Sequence, residues 1–401
     1  MKTIYESQST PAADGFYMPA EFARQDRVWM GWPYRSDTWA HGAKPAQAQY
    51  AEIARAIAEF TPVVMCVNQA DFANCKAQFA DDENVTVIEM STDDAWFRDT
   101  GATFVINGKG DKRACHWHFN AYGGLIDGLY FPWNKDEQVA EKMAELSYCR
   151  RYRPDYMILE GGAITVDGEG TLVVTDQCLL SPGRTASAVL ADEEDEDTTW
   201  PAYAKKFEPY SEELRAYMEE ELKQYLGVEK VIWVKEGIDP HETNGHIDDV
   251  AAFIAPGVMA CIWTDDPDYP FYDQCHAAYE TLSCAVDAQG RQIKVYKLPL
   301  PANPLYMDQA SCDSIDADEN AKPRVADEPL ITSYMNYLVT NKGVIVPQYG
   351  DVNDQLAVDT LQGIYDEVWG KDVYKCIGVR SDQVVYGGGN IHCITQQEPS
   401  A

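Results

Sequence analysis

Apolar and polar positions along this chain repeat a block rather than a single element. From Gln47 to Phe60 apolar residues recur at helical spacing, with Ile53, Ile57 and Phe60 on one face. The apolar runs "PVVMCV" and "VTVIEM" then read as strands, and "WFRDTGATFVINGKG" carries a glycine-rich hairpin signal. The block returns with a helix near Lys135–Cys149 and "YMILEGGAITVDGEGTLVVT", where Asp167-Gly168 and Glu169-Gly170 mark a turn between alternating strands. A third helix is predicted over Glu212–Leu226. Leu214, Met218, Leu222 and Leu226 form its apolar stripe, glutamates fill its first turn and Gly227 ends it. "KVIWV" and "TNGHIDDVAAFIAPGVMACIW" complete that unit. A fourth unit has a helix near Tyr272–Val286, "QIKVYKLPLP" and "SYMNYLVTNKGVIVPQYG". The fifth has a helix near Val352–Trp369, "YKCIGV" and finally "YGGGNIHCITQQEP".

Five units at intervals of about 70 to 80 residues are too long for a solenoid and fit blocks closed around an axis. One stretch departs from the pattern. Ala191–Trp200 holds six consecutive acidic residues, which predicts a solvated loop or disordered insertion. It lacks the Asp/Asn-Gly spacing of a calcium loop.

Comparable places in the units carry the chemistry. Asp99 comes from the first, Glu160 from the second, His246 and Asp248 from the third, and Cys393 from the fifth. Closure around an axis brings such places together at one end, where loops and strand ends form ligand sites. His246 and Asp248, two apart, share a face if they lie on a strand. The same alternation turns His392 away from Cys393 and gives it a structural role. The glycines before Cys393 permit a close backbone approach or a positive φ, or make only a tight turn.

Bulk composition removes some classes of function. The 401 residues, 45% of them hydrophobic, supply a large core, and no apolar run is long enough to span a bilayer. "MKTIYESQSTPAADGF" has no apolar signal-peptide core, so a cytoplasmic location is expected. Eleven cysteines without CxxC pairs argue against both a disulfide framework and a structural zinc site. The formal charge of −33 disfavours nucleic acid and anionic membranes as partners and favours a cation, although solubility alone accounts for it equally well. Carboxylates around a thiolate would blunt it by like-charge repulsion unless the substrate brings positive charge. A planar guanidinium pairs with carboxylates in bidentate fashion, so Asp99 and Asp248 form a clamp that leaves its central carbon open to Cys393.

These residues stand within "YMPAEFARQDRVWMGWPYRSDTW", "DDAWFRDTGATF", "FNAYGGLIDGLYFPW", "LEGGAITVDGEGTLVVTDQCLL", "ETNGHIDDV", "NAKPR", "VIVPQYGD" and "GGGNIHCITQQEP". Across nearly its whole length the chain resembles the agmatine deiminase family of the guanidino-group-modifying (amidinotransferase/deiminase) superfamily. The resemblance implies one catalytic domain over residues 1–401, a five-bladed pseudo-fivefold α/β propeller of ββαβ-type repeats with its site on the axis. It implies Cys393 as nucleophile, His246 as general acid/base, and Asp99 and Asp248 as guanidinium ligands. By the same resemblance Glu160 orients His246 or contacts a substrate nitrogen, and Trp96 walls the pocket. Glu242 is the candidate for the distal amine, and Gly388 gives a flat substrate room. No metal or organic cofactor is implied, and a homodimer or larger homo-oligomer is.

The match departs from the family pattern at Thr100-Gly101-Ala102, at Ala163 and Thr165, and at His241. An apparent insertion also runs from Arg184 to about Tyr210. Arginine or peptidyl-arginine is the alternative substrate, but its carboxylate would need a basic rim residue. None is evident in the core motifs, and strand alternation turns Arg98 away. Two other classes stand beside this one. A metal hydrolase on Asp99, His246 and Asp248 would have a single histidine ligand. A non-catalytic protein would hold polyamines in the acidic cavity.

Overall fold

The computed structural model describes residues 2–187, 189–194, 201–204, 206–239, 241–316, 321–326 and 328–401, with the backbone alone for 189–194 and 201–204. Of the six sheets among the described residues, five are small blades each built on the same three-strand unit. An antiparallel pair comes first, a helix follows, and a third strand then joins in parallel. In one blade Thr103–Ile106 pairs antiparallel with Lys112–Cys115, and Arg151–Arg153 lies parallel beyond it. The next has Thr165–Val166, Thr171–Thr175 and Lys230–Val234. The third has Ala251–Ala255, Val258–Trp263 and Lys294–Pro299. The fourth has Leu338–Val339, Gly343–Gln348 and Lys375–Arg380. The intervening helices are Val139–Leu146, Glu212–Leu226, Tyr272–Cys284 and Asp354–Trp369. Parallel neighbours require such a crossover, because a tight turn reverses the chain.

The fifth blade is assembled from both ends of the chain. Thr395–Pro399 pairs antiparallel with Gln25–Gly31, and the helix Lys44–Ala58 leads to the parallel strands Val63–Val67 and Val85–Glu89. The ring is therefore closed by backbone hydrogen bonds between the first and last blade strands. This is the five-bladed α/β propeller that the family resemblance implies, and it agrees with the five repeated units closed around an axis.

Local sequence explains the elements. Helix Glu212–Leu226 falls where its stripe places it. Ser211 Oγ accepts from Leu214 N–H at the first turn, and Gly227 at φ 63° ends the helix. Leu214, Met218, Leu222 and Leu226 are buried. The helix expected from Lys135 starts instead at Val139, because Asp93 and Asp136 hold the preceding turn. Asp93 Oδ2 accepts from Lys135 N–H at 2.7 Å, and Asp136 Oδ1 from Asp93 N–H at 2.7 Å. The acidic stretch also differs from expectation: Val189–Glu194 is a strand antiparallel to Pro201–Ala204, and residues 195–200 lie outside the described residues.

The largest departures lie where the chemistry was sought. "FRD" is a one-turn helix, Phe97–Thr100, rather than strand. Gly161–Ala163 and Ile247–Asp249 are single 3-10 turns, so His246 and Asp248 converge through a turn and not through strand alternation. "GGGNIHC" is turn, and the strand begins only at Thr395. Each turn immediately precedes the first strand of its blade.

Without its last strand the ring has an open edge at Gln25–Gly31. A chain ended before Thr395 is expected to lose its cooperative thermal transition by circular dichroism, and an unchanged transition would contradict closure by this pairing.

Candidate active site

Four of the turns that precede the inner strands carry the predicted residues to one place. All five are buried: Asp99, Glu160, His246, Asp248 and Cys393. Gly162 marks the point of convergence. A Cβ on it would lie 2.5 Å from His246 Nδ1, 2.9 Å from Asp248 Oδ2 and 3.0 Å from Asp99 Oδ1, so only glycine leaves these three groups room to meet.

Each carboxylate is oriented. Asp99 Oδ1 accepts from Gly162 N–H at 2.9 Å and its Oδ2 from Tyr122 O–H at 2.8 Å. Glu160 is paired with the equally buried Arg184, whose Nε lies 2.5 Å from Oε1. Arg184 also donates to the carbonyls of Tyr122 and Thr243, which ties three blades to one guanidinium. Arg184, expected at the start of an insertion, is thus part of the wall behind the site. Asp248 Oδ2 lies 2.8 Å from His392 Nδ1 and 3.7 Å from Cys393 Sγ, while its buried Oδ1 has no partner among the described residues.

His392 is more than a structural filler. Its Nε2 lies 2.8 Å from Glu21 Oε2, so each ring nitrogen faces a carboxylate oxygen, which an imidazolium satisfies. Burial opposes that charge and so does Arg98, but Glu21 and Asp248 outweigh them and raise the His392 pKa. Burial would raise Glu21, yet His392 and Arg98 hold it down to about 2. Arg98 itself points away from the substrate side, as expected though from a helix. It donates to His392 O at 3.2 Å and Gln397 Oε1 at 2.6 Å.

Electrostatics set the resting state. Burial drives the Cys393 thiol well above its usual range, and Asp248, Asp249 and Asp99 push it further. Burial pulls His246 down, but Asp99, Cys178 and Glu160 together hold it well above an ordinary histidine. A neutral thiol and a protonated His246, each with carboxylates around it, suit an incoming cation.

The walls are aromatic and glycine. Trp96 stacks on Trp39 at 5.2 Å with planes 23° apart, and Asp94 accepts from both indole N–H groups at 3.0 Å. A Cβ on Gly389 would fall 2.8 Å from the Trp96 ring and 3.1 Å from Cys393 Sγ, so Gly389 keeps open the slot between them. Gly388 has a different task. At φ 108° it lies under Glu242, whose Oε2 would sit 1.7 Å from an added Cβ. Glu242 Oε1 is ion-paired with Arg324, which also donates to Gly387 O at 2.5 Å. Arg324 and Lys322 line the cavity beside Trp96 and Glu242. Basic residues therefore do stand at the rim, contributed by the "NAKPR" stretch.

Glu160, Cys178 and His246 present ligand atoms within 4.8 Å of one another. Arg184 already neutralises Glu160 there, and a second cation would meet its charge. The metal-hydrolase set of Asp99, His246 and Asp248 does not coincide with this cluster. Sequence reasoning missed Glu21, Tyr122, Arg184, Arg324 and Asn336. Glu21, Tyr122 and Arg324 all lay inside quoted motifs, but Glu21 sits 371 residues from its His392 partner, so nothing local paired the two.

A closed propeller with a thiol, an imidazole and carboxylates gathered at its hub defines the class: α/β propellers that modify guanidino groups. The family follows from sequence as well. Residues 17–196 and 211–399 match the Porphyromonas-type peptidyl-arginine deiminases, and the chain belongs to that family. The 197–210 gap in this match falls within the expected insertion. The chain is 44% identical over 400 residues to an agmatine deiminase of Pseudomonas fluorescens, covering 100% of this chain and 99% of that one. Another from Pseudomonas aeruginosa is 44% identical over 392 residues, 98% of each. A solved structure of agmatine deiminase of Enterococcus faecalis, described as catalysing its reaction, superposes with a TM-score of 0.89 at 47% identity over 100% of both chains.

The Glu21–His392 pair gives a pH signature. Glu21 has its folded pKa depressed, so its contribution to stability is complete above the ordinary value of 4.5 and is lost as pH falls toward about 2. Glu21→Gln is expected to lower the melting temperature at pH 6, with the difference from wild type shrinking as pH drops below 4.5. A difference independent of pH would remove the ion pair from the account.

Proposed function

We propose that the protein hydrolyses agmatine to N-carbamoylputrescine and ammonia through a covalent amidino-cysteine intermediate. One observation carries the reading: a buried thiol 3.7 Å from a carboxylate whose second buried oxygen has no partner among the described residues. Such a thiol gains reactivity when a cation arrives, and a guanidinium is the cation whose planar donors match Asp99 and Asp248. Agreement with relatives at 44% identity supports the same substrate.

The steps follow from the charges. The guanidinium enters between Trp96 and the Gly389 slot, and Asp99 and Asp248 take its N–H groups. Its positive charge lowers the Cys393 thiol, which loses its proton to solvent. Sγ attacks the central carbon to give a tetrahedral adduct. His246, held protonated in the resting site, gives its proton to the departing nitrogen, the C–N bond breaks and ammonia leaves. The now neutral His246 removes a proton from water and hydroxide adds to the amidino-thioether carbon; as the C–S bond breaks, the hydroxyl proton passes through solvent to the departing sulfur, which releases the ureido product and restores the resting thiol and imidazolium. Glu160, fixed by Arg184, orients His246 in both halves. This chemistry requires no metal or organic cofactor.

At the far end of the substrate, Glu242 Oε1 is taken by Arg324 while Oε2 is buried without a partner among the described residues. The open valence at the rim is thus an acceptor, which suits the ammonium of agmatine. Arginine is the second reading, favoured by the presence of Arg324 and Lys322. Residues 1–401 act as one catalytic unit, in the cytoplasm and as a homodimer or larger homo-oligomer. No helix among the described residues is long and apolar enough to cross a membrane.

Ammonia release from agmatine, arginine and a C-terminal arginyl peptide decides the substrate. Agmatine is expected to be preferred by at least about 10²-fold in kcat/KM, since a misplaced carboxylate meets an acceptor and leaves Glu242 unpaired. Preference for either arginine compound would overturn the choice. Cys393→Ala is expected to leave no turnover.

A further inference from the structure

Four blades supply the five predicted hub residues, and the fourth unit supplied none of them from its sequence. In the structure the turn before its inner strand Leu338–Val339 places Asn336 at the hub, fully buried. Asn336 stands in its blade where Asp99, Glu160, His246 with Asp248, and Cys393 stand in theirs.

Its hydrogen bonds fix which way the amide faces. Two backbone N–H groups point at one side-chain atom: His392 N at 2.9 Å and Cys393 N at 3.3 Å. Both are donors, so the atom they meet is the carbonyl oxygen Oδ1. The amide nitrogen then faces the other way, 3.1 Å from Cys393 Sγ and 3.1 Å from Asp249 Oδ1. The main-chain carbonyl of Asn336 also accepts from His392 N–H at 3.1 Å, which locks the two turns together.

We propose that Asn336 is a catalytic residue, its amide N–H donating to Cys393 Sγ and stabilising the thiolate that attacks the substrate. The sulfur needs such a donor. Asp248 and Asp249 face it from one turn and Asp99 from another, and the Tyr50, Tyr122 and Tyr349 phenols also interact with it. None of these carries a positive charge. His392 is bound to Asp248 and Glu21, and Arg98 to Gln397, so neither cation is free for the thiolate. Besides Asn336, the backbone N–H of Asn390 acts to lower the thiol. A fixed amide donor aimed at a developing anion in a dry site is the arrangement by which preorganised hydrogen bonds lower a barrier. The Asp249 contact adds to this. Burial and Asp248 hold the Asp249 carboxyl well up, and as an acceptor it fixes the amide rotamer.

The inference rests on Cys393 being the nucleophile, and its test separates the two. The rate of Cys393 alkylation by iodoacetamide would be followed against pH in wild type, Asn336→Asp and Asn336→Ser, together with agmatine kcat and KM. Asn336→Asp keeps the shape but replaces the donor by an acceptor, and thermal melts report whether either variant folds. The alkylation midpoint is expected to rise by about one pH unit or more in both, with kcat lower by roughly 10²-fold and KM changed far less. A folded Asn336→Asp with the wild-type alkylation profile and kcat would overturn the proposal while leaving Cys393 as nucleophile. Turnover by Cys393→Ala would instead overturn the nucleophile reading itself.

Discussion

The antiparallel pairing of Thr395–Pro399 with Gln25–Gly31 is the constraint on which the rest depends. It closes five blades into a ring and puts Cys393 two residues before a buried strand rather than at a fraying end. Closure has an electrostatic cost. It gathers Asp99, Glu160, Asp248 and Asp249 in an interior where their mutual repulsion is poorly screened. The fold offsets that cost with cations drawn from distant parts of the chain: Arg184 on Glu160, and His392 on Asp248 and Glu21. What remains uncompensated includes Asp248 Oδ1, buried without a partner among the described residues.

That balance explains why the site needs turns and not strands. A strand side chain points perpendicular to its sheet, so alternation alone delivers a single row of residues. One-turn elements at Phe97–Thr100, Gly161–Ala163 and Ile247–Asp249 instead aim backbone N–H groups and side chains inward together. Gly162 illustrates the gain. Its N–H holds Asp99, and its missing Cβ leaves space for His246 and Asp248 to reach the same point. Gly389 does the same between Trp96 and the sulfur.

Much of this was legible in the sequence. The apolar stripe and cap of Glu212–Leu226 located that helix without error, and unit spacing revealed the five blades. The five hub residues stood out because carboxylate, histidine and cysteine are chemically conspicuous. Partners with a plainer identity did not. Asn336 is an ordinary amide whose role comes only from a buried sulfur 57 residues away in sequence. Strand alternation also misjudged His392. The segment is turn, and the ring reaches Asp248. Gly388 was credited with room for substrate, whereas its space is taken by Glu242.

The central claim is a covalent bond between Cys393 and the guanidinium carbon, made possible by the charge the substrate brings. Mass spectrometry of the Cys393 peptide after brief incubation with agmatine and acid quenching tests it most directly. The account predicts an amidino adduct on Cys393 that appears within the first turnovers and decays once agmatine is exhausted. Full turnover with no adduct on Cys393, or an adduct on another of the eleven cysteines, would contradict it.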